Sequence, residues 1–171
     1  MREPDYITRR GMETLRAELT WLHMVERPRI TAEVSYAASL GDRSENAEYI
    51  YGKKRLREID RRMGYLAHRL SNIQVVETGT LSGDRVRFGA TVVVEDEGGD
   101  VATWHIYGVD EVNVGQGIIS LRSPLGAALL GHEEGETVRF KAPQGDRELE
   151  ILEVRFEAQS TEPIVWPVPE R

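Results

Sequence analysis

Two acidic residues, Asp42 and Glu45, lie three positions apart in the short segment 41–46, which separates two long helical patterns. If the second helix starts with Asp42 as its N-cap, both carboxylates project from the first helical turn into solvent, because residues three apart share a helix face. Carboxylate oxygens are ligands that Mg²⁺ prefers in proteins, and the ion usually keeps several waters. The pair therefore predicts half of a divalent-metal site, of the kind that delivers the second ion in phosphoryl chemistry.

A structural alternative accounts for the same two residues. An N-cap Asp followed three residues later by Glu forms a capping box, and the helix dipole favours acids in the first turn whether or not a metal is near. A capping carboxylate keeps one oxygen free, so the two interpretations are compatible. The spacing leaves both open.

Four basic residues lie on one face of the second helical pattern. This basic face consists of Lys53, Lys54, Arg57 and Arg61. At 100° per residue the set spans about 100° of the helix circumference, roughly opposite the apolar positions. Lys53 lies eight residues beyond Glu45, roughly 12 Å along the axis, so the face is placed to hold a polyanion whose end reaches the acidic pair. The alternative is a solvated face in which Glu58 pairs with Lys54 and Arg62.

The helical patterns have the spacing of a packed seam. Apolar residues recur every three or four positions from Met12 to Ala37 and again from Leu56 to Ile73. We expect Thr8 to cap the first helix and Pro28 to bend or interrupt it. Two long helical arms joined by the tip segment 41–46 form an antiparallel coiled-coil hairpin.

The second half of the chain has a different period. From residue 80 onwards the apolar period changes from 3.6 to 2, which indicates strands, with hairpin turns at 96–100 and 143–146. Ser123 and Pro124 supply an N-cap and a first-turn proline for one short helix, Leu125 to Leu130. The sequence therefore predicts an α+β protein: an N-terminal antiparallel α-helical coiled-coil hairpin, then a C-terminal antiparallel β-sheet domain with one short helix.

Composition narrows the class of protein. The chain has 171 residues and a net charge of -7. It contains no cysteine, which excludes disulfides and cysteine nucleophiles and fits a reducing compartment. The N-terminus lacks the apolar core of a signal peptide and no apolar run is long enough to span a bilayer, so we expect a cytoplasmic protein without a membrane partner. Residues 43–70 are net positive and residues 83–157 net negative, which indicates two surfaces with different partners.

The tip segment and its flanks resemble a known family. The stretch Ala37–Tyr49 is similar to the tip of the Gre factors, a family of bacterial transcript-cleavage factors, and Lys53–Arg62 resembles the second helix of the GreB type. The similarity runs from about Ile7 to Phe156. It implies an N-terminal coiled coil at 1–78 and a C-terminal domain with an FKBP-like fold at 79–157. Residues 158–171 are expected to form a flexible tail.

The resemblance also implies a function. In that family the C-terminal domain grips RNA polymerase at the rim of its secondary channel, and the coiled coil enters the channel. By match, Asp42 and Glu45 help to hold Mg²⁺ in the polymerase active centre, which hydrolyses backtracked RNA, and Ser44 assists their positioning. The protein would then be no enzyme itself and would bind no cofactor stably alone, since Mg²⁺ is shared with polymerase only. The basic face would meet the backtracked nascent RNA.

The resemblance places polymerase binding at Ser120, Arg122 and Pro124. At position 122 the similar GreB proteins carry an aspartate, and Ala127 replaces the family's arginine in the short helix, so the charge at this contact is reversed. Two other functions stay open. One is a secondary-channel regulator that binds polymerase without promoting cleavage, and a remote one is a prolyl isomerase, suggested only by the implied fold of the second half.

Overall fold

The computed structural model describes residues 5–41 and 46–169. Residue contacts divide the chain into two compact units: Met1–Met12 with Ile73–Thr161, which we call the sheet unit, and Glu13–Asn72 with Glu162–Arg171, the helical unit. These boundaries differ from the predicted ones at 78 and 157. The start of the chain and residues 158–161 group with the sheet rather than with the hairpin or the tail.

The helical unit is built from two arms. The first arm comprises α1 (Arg9–Trp21), a π-helical turn (Leu22–Glu26) and α2 (Arg27–Ser39), and the second is α3 (Ala47–Asn72). The seam buries apolar residues of both arms at helical spacing, namely Leu15, Leu22, Ile30, Ala37, Gly52, Ile59 and Leu66. Val34 lies opposite Gly52 and Arg27 opposite Asp60, so the arms run antiparallel, which confirms the predicted hairpin.

Pro28 interrupts the first arm as expected, and the form of the interruption is a π turn. Proline has no N–H to donate to the carbonyl four residues earlier, and its ring crowds that carbonyl. Immediately before Pro28 the helical turn contains one extra residue, since the Arg27 N–H donates to the carbonyl oxygen of Leu22, five residues earlier. Such a turn absorbs the missing bond without ending the helix. Glu26, the last residue of the turn, is thereby buried.

The second arm begins later than predicted. Its first residue is Ala47, and Asn46 is the cap, since its side-chain oxygen accepts a hydrogen bond from the Tyr49 N–H at 3.1 Å. The prediction of Asp42 as N-cap was therefore wrong, because a second capping residue four positions downstream takes that role. Asp42, Ser44 and Glu45 lie outside the described residues.

The sheet unit contains the segments that directly precede the first arm and directly follow the second arm. β1 (Asp5–Thr8) pairs in parallel with β2 (Ile73–Val76), so Ile73 belongs to a strand rather than to the helical seam. Thr8 caps α1 as predicted, because its side-chain oxygen accepts a hydrogen bond from the Gly11 N–H at 3.1 Å. Two short strands and the first turn of a long helix therefore form one local structure.

The remaining strands form a five-stranded sheet. They are β3 (Ala90–Asp96), β4 (Val101–Tyr107), β5 (Ile118–Ser120), β6 (Thr137–Ala142) and β7 (Gly145–Phe156), in the order β5-β4-β3-β7-β6. The pairings are antiparallel except that of β4 with β5, which is parallel. The prediction lacked this parallel pair, because the loop of residues 108–117 returns the chain to the sheet with a single 3-10 turn (Val114–Gln116) and no α-helical crossover.

One helix covers the sheet. α4 (Pro124–Leu129) is capped by Ser123, whose side-chain oxygen accepts a hydrogen bond from the Gly126 N–H at 3.0 Å, as predicted. The core of this unit includes Val92, Val94, Ile106, Leu129 and Ile151, all nearly inaccessible to solvent. The sheet is thus a rigid platform for the surface loops at its edge.

Candidate functional site

The tip of the hairpin is closed by Asn46. Its Nδ2 donates a hydrogen bond to the carbonyl oxygen of Ala37 at 2.8 Å, and its Oδ1 accepts one from the Tyr49 N–H at 3.1 Å. Because one partner is an obligate acceptor and the other an obligate donor, the orientation of the amide is fixed. One side chain thus joins the last turn of α2 to the first turn of α3.

The end of α2 requires the glycine that precedes the acidic residues. The Leu40 N–H donates to the Ala37 carbonyl oxygen at 3.2 Å, and Gly41 follows with φ of 125°. Residues with a Cβ rarely adopt that conformation, so Gly41 suits the exit from the helix. Below the tip the arms approach closely, since a Cβ on Gly52 would lie 2.5 Å from the Val34 methyl carbon.

All four residues of the basic face are exposed. Within the described residues, none of the four makes an ion pair. The flanking arginines differ: Arg62 binds Glu18 of the first arm with two hydrogen bonds of 2.7 and 2.9 Å, and Arg55 lies 3.7 Å from the buried Glu26. Arginines at the seam are therefore engaged in holding the hairpin, whereas the basic face points to solvent.

The ion pairs that would have neutralised the basic face are replaced by others. Glu58 pairs with Arg55 at 3.6 Å, and Arg62 turns to Glu18 rather than to Glu58. Asp60 pairs with Arg27 of α2 at 2.7 Å, and the hydrogen bond from that guanidinium lowers the pKa of the Asp60 carboxyl. Glu58 and Asp60 thus pair with Arg55 and Arg27 rather than with the basic face, which favours the polyanion interpretation over the solvated-face alternative.

Large apolar side chains near the tip are exposed to solvent, a feature that the sequence patterns did not indicate. They are Tyr36, Leu40, Ile50 and Tyr51, each more than half exposed. Hydropathy gives no signal here because isolated exposed apolar residues are common on protein surfaces.

The residues matched to polymerase binding form a tight corner after β5. Ser120 is 6% exposed, its side-chain oxygen accepts a hydrogen bond from the Arg122 N–H at 3.0 Å, and its carbonyl accepts one from the Ser123 hydroxyl at 2.7 Å. Ser120 therefore shapes the corner, while Arg122 and Pro124 are exposed on it. Gly126 contacts the Ser120 carbonyl so closely that no larger residue fits.

Arg122 has a partner in its own unit. Its Nη2 lies 2.7 Å from Oδ1 of Asp5 in β1, and its side chain remains 53% exposed. The positive charge that replaces the family's aspartate is therefore accompanied by a carboxylate from the start of the chain. Sequence spacing gave no hint of this pair, since 117 positions separate the two residues.

A carboxylate that the sequence analysis missed holds the first turn of α1. The Glu111 side chain accepts hydrogen bonds from the Thr8 N–H at 3.1 Å, from the Gly108 N–H at 3.0 Å and from the Thr8 hydroxyl. Burial raises the pKa of Glu111, and the hydrogen bonds it accepts offset that rise only in part. The segment after β7 adds a contact, because the Gln159 side-chain oxygen accepts from the Arg10 N–H at 3.0 Å.

The aromatic residues of the sheet unit are used in packing. Trp104, Phe140 and Phe156 pack against the core cluster, and the rings of Phe88 and Tyr107 lie 6.4 Å apart, centre to centre. Packing contacts therefore involve all five of these rings.

The described residues contain neither a metal-binding cluster nor a membrane-spanning helix. In 5–41 and 46–169, no three His, Asp or Glu side chains gather closely enough to hold a metal ion. Asn46 is no candidate ligand, because its oxygen and its nitrogen both bind the backbone. Over the same residues, every helix is too short or too polar to cross a bilayer.

Two family models match the chain. "Transcription elongation factor, N-terminal" matches residues 5–75, and "Transcription elongation factor, GreA/GreB, C-term" matches residues 81–156. Among relatives, the transcription elongation factor GreB of Pseudomonas aeruginosa is 48% identical over 88% of this chain and 89% of its own length. GreB of Yersinia pestis is 45% identical over 91% of each chain.

A solved structure shows a weaker likeness. The transcription factor Gfh1 is 26% identical and covers 90% of this chain and 99% of its own, with a TM-score of 0.43. At that score the likeness carries no argument about this chain.

Proposed function

The chain belongs to the GreA/GreB family of transcription elongation factors, and on this premise we propose that it stimulates bacterial RNA polymerase to hydrolyse the 3′ end of backtracked RNA. The observation that carries the proposal is the basic face. Its four side chains are exposed and free of ion pairs among the described residues, directly behind the closed tip. Glu58 and Asp60, which lie beside this face in the sequence, pair with Arg55 and Arg27 instead.

The basic face fits a single strand of RNA. From Lys53 to Arg61 it extends over eight residues, roughly 12 Å of helix, which is about the length of two nucleotides of extended backbone. Each lysine or arginine that neutralises a phosphate releases counterions, so binding should depend strongly on salt. The extruded end of a backtracked transcript is a ligand of this kind.

The tip acids Asp42 and Glu45 then serve the polymerase active centre, with Ser44 assisting their position. Their carboxylates are hard oxygen donors of the kind that Mg²⁺ takes, and two of them supply part of a ligand set. When bound, Mg²⁺ lowers the pKa of a coordinated water and so supplies the nucleophile for phosphodiester hydrolysis. The chain's own part is to supply two carboxylates that precede the basic face in the sequence. It binds no metal stably alone, so the hydrolysis belongs to polymerase and the chain acts as a factor rather than an enzyme.

The corner after β5 is the proposed docking point on the rim of the secondary channel. Arg122 and Pro124 are exposed there, and Ser120 holds the turn that presents them. The Arg122–Asp5 pair offers both charges at this surface, so the reversed charge at position 122 need not abolish binding. We place this action in the cytoplasm, where the polymerase works.

The test is RNA cleavage in stalled, backtracked elongation complexes of the cognate polymerase, with Mg²⁺ present and binding to polymerase measured in parallel. The wild type should stimulate cleavage, and Asp42→Asn with Glu45→Gln should abolish stimulation while binding persists. The double variant keeps the size of both side chains and removes their charge. Binding without cleavage by the wild type would overturn the proposal and favour a regulator that only occupies the channel.

A further inference from the structure

We propose that Asn46 is a positioning residue, which sets the distance between the end of α2 and the start of α3, the two helices that flank the acidic residues in the sequence. The inference rests on the proposed function, because its consequence is read as transcript cleavage. The distance between the two helix ends can be measured without any cleavage assay.

The hydrogen bonds of Asn46 exceed what helix capping needs. A cap requires an acceptor for a free N–H of the first turn, and Oδ1 supplies it to Tyr49. The Nδ2 bond to the Ala37 carbonyl is additional, since that carbonyl already accepts from the Leu40 N–H at 3.2 Å. The second bond therefore satisfies no orphan group and acts as a tether between the two helices.

Few side chains can replace this arrangement. Serine and aspartate are good caps, but serine is too short to reach across and aspartate presents a second acceptor to the Ala37 carbonyl. Glutamine has the same amide on a longer stem with more rotamers to restrict. Asparagine is the residue that caps and tethers at once, and it does so without adding charge beside Asp42 and Glu45.

The tether lies where packing alone does not fix the hairpin. The arms are close at Gly52 and Val34, and beyond that contact the seam still buries Ala37, while Leu40, Ile50 and Tyr51 are exposed. Two helices that share one seam are least constrained at their free end. Loss of the Nδ2 bond should thus widen the range of distances between the helix ends while the seam stays intact.

The experiment separates the tether from the cap with full-length variants. Asn46→Ser keeps a cap and removes the tether, and Asn46→Ala removes both. Asn72→Ser is the matched control, because Asn72 is the last residue of the same helix and its amide bonds to the His68 carbonyl at 2.8 Å, within its own helix. Cleavage is measured over a series of factor and Mg²⁺ concentrations.

We expect Asn46→Ser to lower the maximal cleavage rate about tenfold, since a catalytic group displaced by about 1 Å loses up to 100-fold. The half-saturating factor concentration should stay unchanged, and the Mg²⁺ concentration for half-maximal rate should rise. A merely structural loss would lower binding and leave the Mg²⁺ dependence as it is. A wild-type rate and Mg²⁺ dependence in Asn46→Ser would overturn the inference, and so would an equal loss in Asn72→Ser.

A second readout does not depend on cleavage. The chain has no cysteine, so spin labels at cysteines introduced in place of Ser39 and Glu48, both exposed, report only the distance between the helix ends. The distance distribution should broaden in Asn46→Ser and remain narrow in Asn72→Ser. If the wild type fails to stimulate cleavage but the distribution broadens, the proposed function fails and the tether stands. An unchanged distance distribution in Asn46→Ser would overturn the proposed tether, whatever the cleavage result.

Discussion

Two helix starts in this molecule are held in opposite ways. The first turn of α1 is held by three side chains, since Glu111 and Gln159 accept from the backbone N–H groups of Thr8 and Arg10, and Thr8 caps the helix itself. The first turn of α3 is held by Asn46. The first turn of α1 thus has several partners, including the partly buried carboxylate of Glu111, and the first turn of α3 depends on one neutral side chain.

Because the two helix starts are held differently, we expect mutations at α1 to change stability and mutations at the tip to change function. Where several partners hold one turn, the loss of the central one leaves backbone donors buried and costs stability. Where a single amide holds a turn whose neighbours Gly41 and Ala47 are exposed, water can replace its bonds, and the loss appears as a change in geometry instead. The first turn of α1 should therefore respond to mutation in denaturation experiments, and the tip should respond in cleavage assays.

The largest expected effect on stability belongs to Glu111→Ala. The Thr8 and Gly108 N–H groups lose their acceptor, and each buried donor left unsatisfied costs on the order of 1–3 kcal/mol. We expect the free energy of unfolding to fall by about 2–4 kcal/mol in urea denaturation monitored by circular dichroism. Glu111→Gln, which keeps an acceptor oxygen, is the control. A loss no larger than that of Asn46→Ala would contradict the contrast between the two helix starts.

A second effect contrasts paired and unpaired arginines of α3. Removing the charge of two unpaired residues, in Arg57→Gln with Arg61→Gln, should weaken binding of backtracked complexes about tenfold at moderate salt. The slope of log affinity against log salt should decrease by about 1.4, as expected for two phosphate contacts to a single strand. Unfolding should be unchanged, because neither side chain makes an ion pair within the described residues.

The paired counterpart is Arg62→Gln, which breaks the bonds to Glu18 across the seam. It should lower the free energy of unfolding by about 0.5 kcal/mol, since the Arg62 side chain is 45% exposed to solvent, and leave the salt slope as it is. Equal salt slopes for the two variants would show that the basic face does not contact a polyanion.

The two units should respond oppositely to pH. Burial raises the pKa of Glu111, so the folded state binds this proton more tightly than the unfolded state, and stability decreases as pH rises above the ordinary range of a glutamate. The Arg27 hydrogen bond lowers the pKa of Asp60, so its contribution is present at neutral pH and is lost as pH falls below about 4. Denaturation from pH 4 to pH 7 should show Glu111→Gln becoming more stable relative to the wild type as pH rises. A constant difference across that range would contradict the raised pKa.

The sequence predicted elements that depend on local patterns. The seam residues, the caps at Thr8 and Ser123 and the break at Pro28 each follow from spacing or from one residue's chemistry. The start of α3 was misplaced because Asp42 and Asn46 are both good caps, and propensity does not rank them. The tether from Asn46 to Ala37 decides between them, and it depends on the approach of two helices.

The contacts that the sequence could not indicate are those between distant residues. Glu111 and Thr8 are 103 positions apart, and Arg122 and Asp5 are 117 apart. Each lies in a segment whose local pattern is ordinary, so that only the fold brings the partners together. The spacing of basic residues in the sequence predicted the basic face. It did not predict that Arg62 pairs with Glu18 and Glu58 with Arg55, which leaves the face without ion pairs among the described residues.

The smallest expected effect belongs to Gln159→Ala, which tests whether the first turn of α1 remains in place when one of its three side-chain partners is removed. Gln159→Ala removes the acceptor of the Arg10 N–H, while Glu111 and Thr8 keep their own bonds. A helix N–H in the first turn is readily hydrated, so we expect a loss of about 0.5 kcal/mol in the free energy of unfolding. Limited proteolysis gives the sharper measurement: cleavage within 157–161 should be slow in the wild type and faster in the variant, since the Ser160 carbonyl also accepts from Arg9 at 2.9 Å. Rapid cleavage of the wild type there would show that the chain leaves the sheet unit at Phe156, and that α1 depends on Glu111 and Thr8 instead.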